Sequence, residues 1–207
     1  DGVVTGYTDA KVTLPFERLR EYFFLTLSEK VEKVEKMPNG GLLIFVNSNK
    51  LTIKLATSYI SQGQAKINFK REIQSETYDS LKNKAYETWE EKLNSIEIED
   101  NNINRLKTFY SCFYRALLFP TTFYELDDND EPFHFNPDLG KICKGTFYTN
   151  NGFWDTYKTE YSLLSIVFPK LVNNFIEGFI NYSEEVGWLP KWLCPGEIGM
   201  MPGALIE

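Results

Sequence analysis

Residues 76–96 read ETYDSLKNKAYETWEEKLNSI, and along them the spacing of the apolar side chains changes. Tyr78, Leu81, Ala85, Trp89, Leu93 and Ile96 recur every three or four positions with charges between them, which specifies an amphipathic helix. Upstream the pattern is that of strands. Residues 22–27 (YFFLTL) form an aromatic and β-branched run, Pro38-Asn39-Gly40-Gly41 is turn chemistry, and residues 42–46 (LLIFV) follow it. Residues 51–55 (LTIKL) then alternate apolar and polar side chains with period two. Antiparallel sheet with one buried face, part of a β-sandwich, is the expected architecture. Three or four strands with open edges are marginal alone, so further strands are expected before Asp1.

Downstream the helical period persists. Asp100 and Asn101 offer N-caps to a stripe of Ile103, Leu106, Phe109, Tyr110, Phe113 and Leu117, which Pro120 ends. Residues 125–140 read as irregular and acidic. Two more helices are expected over 155–168, before Pro169, and over 170–186, closed by Gly187 as a C-cap. Successive helices with short connections pack as antiparallel hairpins. The fold class is therefore α+β and multi-domain, a β-sandwich portion followed by the opening hairpins of a helical barrel.

Composition narrows the chemistry. Apolar residues make up 43% and charged residues 25%, the balance of a chain that buries a core. Twenty-two cations against 29 anions leave a net charge of −7, which argues against a phosphate-tracking surface and so against nucleic acid. The longest apolar runs are far too short to span a bilayer. Cys112, Cys143 and Cys194 are odd in number and far apart, excluding a disulfide scaffold and a cysteine-based zinc site. The single histidine, His134, removes any site that needs two imidazoles and reads as a packed loop residue. Chemistry has to run mostly on carboxylates. The chain starts at Asp1 without a leader, so no signal peptide is visible, and residues 196–207 (GEIGMMPGALIE) begin a new small and apolar run. Both ends are expected to be cuts in a longer protein.

Two non-helical segments flank the last two helices and concentrate groups that suit a sugar. One is residues 145–156 (GTFYTNNGFWDT); the other is residues 187–192 (GWLPKW), with Cys194-Pro195-Gly196-Glu197 behind it. Aromatic rings stack on the C–H faces of a pyranose while Asp, Asn and Glu take its hydroxyls. Each segment also has a plainer reading. Trp154-Asp155-Thr156 can be a helix start, with Asp155 on the dipole and Trp154 packed as a staple. Residues 188–192 can be a core-anchored loop, and Glu197 a solvated loop acid.

At these loops the chain resembles glycoside hydrolase family 92, the calcium-dependent exo-acting α-mannosidases. The resemblance starts at residues 109–120 (FYSCFYRALLFP), a match to a family helix of the form FYxxxYRxLLFP. It continues through 147–157 (FYTNNGFWDTY), Leu163-Leu164 and Phe168-Pro169, and ends at 187–192 with Gly196, Glu197 and Met201. Residues 58–75 (SYISQGQAKINFKREIQS) resemble the family's strand-to-linker passage. The resemblance implies an N-terminal β-sandwich joined by a linker helix to an (α/α)6 barrel. On this chain that gives 1–75 as the C-terminal part of the sandwich, 76–99 as the linker helix and 100–207 as the first, truncated part of the catalytic barrel.

It further implies that Trp154 and Asp155 line the subsite for the terminal mannose, with Trp188 and Trp192 beside it. Glu197 would be the general acid, which needs a raised pKa to carry its proton near neutrality. Such enzymes invert the anomeric centre, using a second carboxylate about 6.5–9.5 Å from the acid. That base and most of the Ca2+ ligands are expected beyond residue 207, so the metal ligands are unknown and this chain alone should not turn over. The expected substrates are mannose-containing glycans, α-1,2-linked, met outside the bacterial cytoplasm as a secreted, periplasmic or cell-surface protein. Self-association through the open barrel face is also expected. Two other readings stay open, a non-catalytic mannose- or glycan-binding protein and a related (α/α)-barrel glycosidase for another sugar.

Overall fold

The computed structural model describes residues 2–9, 19–38 and 40–199. The chain divides into two compact units, with the change at Glu76–Thr77. In the first unit β1 (Val3–Thr8), β2 (Glu21–Leu27), β3 (Val31–Lys36), β4 (Leu42–Val46) and β5 (Ile53–Ser58) precede a helix, α1 (Gln62–Glu72). β2 is the central strand of an antiparallel three-stranded sheet, between β1 and β5, while β3 and β4 form a separate antiparallel pair. Their turn is closed by Met37 N–H on the Gly41 carbonyl at 2.8 Å, with Gly40 at φ +85° as turn chemistry requires. Asn39 of that turn lies outside the described residues.

Two strands were not legible in the pattern. β3 reads VEKVEK, with only two apolar positions, and β1 contains a glycine and two threonines. The last strand runs over Ile53–Ser58, two residues later than the alternation placed it. α1 is also an addition. Its buried face is Gln64, Ala65, Asn68 and Phe69, so apolar periodicity passes over it. Ser61 caps it by accepting the Gln64 N–H at 3.0 Å. Phe69 packs on Phe24 of β2 with ring centroids 4.9 Å apart, and Asn68 donates to the Thr57 carbonyl of β5 at 2.9 Å. Lys54 of β5 adds hydrogen bonds to the Ile73 and Gln74 carbonyls at the end of the helix, and Ala65 completes the apolar contact with the sheet.

The second unit opens with α2 (Tyr78–Leu93), started by a reciprocal capping box between Thr77 and Ser80. Trp89 rests 4.5 Å from the Tyr114 ring of α3 (Ile103–Ala116), while Tyr78 at the other end of the stripe stays exposed. The N-cap of α3 is Asn102 rather than Asp100 or Asn101. Asp100 instead accepts the Asn102 N–H and pairs with the Arg105 guanidinium.

The stretch read as irregular is sheet. After β6 (Thr121–Thr122) come β7 (Glu125–Leu126), β8 (Pro132–Asn136) and β9 (Lys141–Lys144), an antiparallel three-stranded sheet ordered β7-β8-β9. Apart from Glu125, which starts β7, its acidic residues lie in the connections between the strands. Asp127 accepts the N–H groups of Asn129 and Glu131, and Asn136 those of Asp138 and Leu139.

Next follow β10 (Tyr148–Thr149), β11 (Asn151–Gly152), α4 (Phe153–Thr156), α5 (Glu160–Val167), α6 (Pro169–Val186) and β12 (Trp192–Leu193). The helix expected over 155–168 is therefore split. The hydroxyls of Thr156 and Thr159 bond back to the carbonyls of Gly152 and Asp155, a local alternative to the helical ladder. α6 ends where expected, at Gly187 with φ +92°. Phe147, Tyr148, Phe153, Leu164, Phe175, Phe179, Tyr182 and Leu193 form the core beneath these segments. Gly178 lets α6 approach it, since a Cβ there would meet the Tyr148 ring at 2.6 Å.

Candidate active site

Two short strand pairings build the site. β10 pairs with β6, and β11 pairs with β12, so that Asn151 faces Leu193 and Gly152 faces Trp192. The second pairing lays the segment carrying Trp154 and Asp155 against the one carrying Trp192 and Glu197. At the join, Gly152 has no side chain and needs none. A Cβ there would meet the Trp192 ring at 3.1 Å and Asp155 Oδ2 at 3.2 Å, so the indole and the carboxylate close over the same backbone point. The structure therefore brings Trp192 and Asp155 together.

Trp154 is 53% exposed and packs in no core, so it is not a staple for α4. No side chain caps that helix. Trp188 is similarly exposed, at 56%. The loop that carries it is anchored instead by Pro190 and Leu193, both fully buried.

Glu197 is not a free loop acid. Its Oε2 accepts the backbone N–H groups of Lys191 at 2.7 Å and Trp192 at 3.1 Å, and its Oε1 accepts that of Gly199 at 3.0 Å. Its own N–H donates to Asp138 Oδ2 at 3.0 Å, which also accepts the Tyr182 hydroxyl at 2.8 Å. Burial first, and then the Asp138 hydrogen bond, push the Tyr182 phenol well above its usual range, so it stays a donor. A rigid chain runs from the α6 core through Asp138 to the backbone of Glu197.

Sequence reasoning missed these supports. Asp138 belongs to the turn NPDLG, whose Asn136 is a signal for a fixed turn but not for a partner 59 residues away. Asn151 is 1% exposed; its Oδ1 accepts the Tyr161 hydroxyl at 2.7 Å and its Nδ2 has no hydrogen-bond partner among the described residues. It sits beneath the Trp154–Asp155 turn, which it holds through the Thr156 hydroxyl at 3.4 Å. Glu160, one turn further on, has a buried Oε1 with no hydrogen-bond partner among the described residues, and burial pushes its carboxyl up to about 7.

The model of the glycosyl hydrolase family 92 catalytic domain matches residues 64–206, more than half of the chain. The chain belongs to glycoside hydrolase family 92. Among solved structures, a family 92 inverting mannosidase from Bacteroides thetaiotaomicron VPI-5482 superposes with a TM-score of 0.87 at 33% identity, over 97% of this chain and 29% of that one. A family 92 α-mannosidase from Bacteroides thetaiotaomicron gives 0.80 at 24% identity, over 97% of this chain and 30% of that one, and was also solved with mannoimidazole. The latter likeness shows the fold alone. No curated protein matches the chain. The chain spans less than a third of the length of these family 92 structures.

Family 92 implies calcium. Calcium takes six to eight oxygen ligands. Among the described residues one group of three or more candidate ligands lies close together, His134, Cys143 and Glu185, which offers a nitrogen, a sulfur and a carboxylate. That donor set does not fit calcium.

Proposed function

We propose that this chain is part of an exo-acting α-mannosidase that cleaves terminal, α-1,2-linked mannose with inversion, and that Glu197 is its general acid. The observation that carries the reading is the β11–β12 pairing, which sets Trp192 and Asp155 over Gly152 beside the Glu197 loop. The indole suits the C–H face of a pyranose and Asp155 can accept two neighbouring hydroxyls. Each carboxylate oxygen has two lone pairs. Those of Glu197 Oε2 are both used by backbone N–H groups, whereas Oε1 keeps one. Oε1 is therefore the oxygen that this reading assigns to proton donation.

From there the proton passes to the glycosidic oxygen as the bond to the anomeric carbon breaks, and the electron pair leaves with that oxygen. Water adds to the opposite face and gives its proton to a second carboxylate, which this reading assigns to a part of the (α/α)6 barrel outside the described residues. Any calcium ligands belong there too. The same reading places the enzyme outside the bacterial cytoplasm, where mannose-containing glycans are met. No described helix is long and apolar enough to cross a membrane. It also leaves the apolar groove of about 460 Å³ along Tyr157, Phe175, Ile176 and Ile180 as a face for self-association.

A second reading rests on the three backbone N–H groups that hold Glu197. They suit a purely structural carboxylate in a protein that binds mannose without cleaving it. Mannose release from α-1,2-mannobiose by the complete gene product separates the two. The enzyme reading expects release that falls at least about 100-fold in Glu197→Gln and in Asp155→Asn. An inert wild type that still binds mannose supports the binding protein and overturns the enzyme.

A further inference from the structure

The β8–β9 hairpin meets the C-terminal turn of α6 at a cluster that the site above does not use. His134 and Cys143 face each other in register across the hairpin, and Glu185 approaches from α6. One ligand atom from each lies within 4.8 Å of the others. His134 is fully buried and stacked on Phe147, with centroids 4.8 Å apart and planes 17° from parallel. Its Nδ1–H donates to the Gly145 carbonyl at 3.0 Å, which fixes the ring and aims Nε2 at Glu185 Oε2, 3.1 Å away. Asn136 Nδ2 donates to that same oxygen at 2.7 Å.

We propose that His134, Cys143 and Glu185 form a binding site for one divalent cation of the zinc class. An imidazole nitrogen, a thiolate and a carboxylate are the donors such ions prefer, and three protein ligands leave one position for water. The surroundings are those of metal sites. The second ring nitrogen of the histidine is held by a carbonyl, and the carboxylate is held by an amide, so both ligands are oriented before the ion arrives. Ligand atoms about 2.0–2.3 Å from a zinc ion lie roughly 3.3–3.7 Å apart, so the cluster has to contract by about 1 Å. Side-chain rotation at Cys143 and Glu185, neither of them fully buried, supplies that.

Burial first, and then Glu185, push the Cys143 thiol up to about 11, so the ion has to displace the thiol proton, which leaves to solvent. The loaded site then carries a neutral imidazole, a thiolate and a carboxylate around a doubly charged ion, with no net charge. The cysteine count argued against a zinc site because it looked for several thiols; here each ligand type occurs once, at separations of nine and 42 residues. The inferred ion ties the hairpin to α6 three residues beyond Tyr182, the residue that holds Asp138 and through it Glu197. It acts as a clip beneath the site and does not depend on which reaction the site performs.

Titration of the reduced, chelator-stripped chain with Co2+ tests this, because a thiolate ligand gives a sulfur-to-cobalt charge-transfer band. The expected result is a band that saturates at one equivalent and is bleached by Zn2+. It should persist in Cys112→Ser and Cys194→Ser, vanish in Cys143→Ser, and weaken at least about ten-fold in affinity in Glu185→Gln. Zn2+ should also raise the wild-type Tm by several degrees and leave that of Cys143→Ser unmoved. Absence of the band in the wild type, or its survival in Cys143→Ser, overturns the proposal. The wild-type titration decides even if a variant fails to fold.

Discussion

Glu160 begins α5 with one carboxylate oxygen buried and without a hydrogen-bond partner among the described residues, beside a cavity walled by Ile96, Phe109, Phe113 and Leu163. Burial pushes its carboxyl from the usual 4.5 up to about 7. In the unfolded chain the same group ionises near 4.5. Between those two values the unfolded state has given up a proton that the folded state keeps, so stability falls as pH rises through the window and levels off above about 7. At 1.36 kcal/mol per pKa unit the full displacement is about 3 kcal/mol. The carboxyl is only partly buried, and solvent screening brings this down to roughly 1–2 kcal/mol. Glu160→Gln keeps the shape and removes the ionisation. Urea unfolding of both proteins at about pH 4 and pH 8 reads the effect as the difference between them. The variant should gain roughly 1–2 kcal/mol on the wild type on going from the lower to the higher pH. A difference that is the same at both pH values would falsify the desolvation argument, because Glu160 would then titrate alike folded and unfolded.

Three further perturbations follow from the same contacts. In Gly178→Ala the new Cβ would meet a Tyr148 ring that is itself buried and pinned 4.9 Å from Phe175. Overpacking of about 1–3 kcal/mol should exceed the gain of about 1 kcal/mol in helix propensity, so Tm should fall, and a raised Tm contradicts this. Asp138→Ala strips the acceptor from the buried Tyr182 hydroxyl and from the Glu197 N–H; chemical denaturation should show a loss of about 1–3 kcal/mol, and on the proposed function the complete gene product should release mannose more weakly. At Glu185, burial pushes the carboxyl up, but the bonds from His134, Asn136 and Cys143 outweigh it and hold it below its usual 4.5. Its contribution to stability is present above that value and is lost as pH falls, so Tm measured from about pH 6 to pH 3 should drop more steeply in the wild type than in Glu185→Gln.

The sequence carried the elements whose chemistry is local. α6 was readable from its stripe and from Gly187, and α3 from its stripe and Pro120. What escaped was held by long-range polar contacts. α1 buries Gln64 and Asn68, and the amides of a polar helix give no apolar period. The β7-β8-β9 sheet hides its strands between acidic turns, so composition over 125–140 described the turns and concealed PFHFN between them. At the site, residues 154, 155, 192 and 197 stood out in the sequence as groups that suit a sugar, and the fold sets Trp192 and Asp155 side by side. Gly152 did not stand out, because its importance is the space it leaves for Trp192 and Asp155. Nor did Asp138, Tyr182 and Asn151, whose partners come from other elements through the fold.

The general-acid role of Glu197 is tested most directly by varying how much the leaving group needs its proton. The complete gene product and its Glu197→Gln form would be compared on α-1,2-mannobiose and on dinitrophenyl α-mannoside, whose phenolate departs without protonation. Removal of a general acid costs about 10²–10⁴ in rate on the disaccharide. The account predicts that loss on mannobiose and nearly wild-type cleavage of the aryl mannoside. An equal loss on both substrates would mean that Glu197, held by Lys191, Trp192 and Gly199, shapes the loop and gives up no proton.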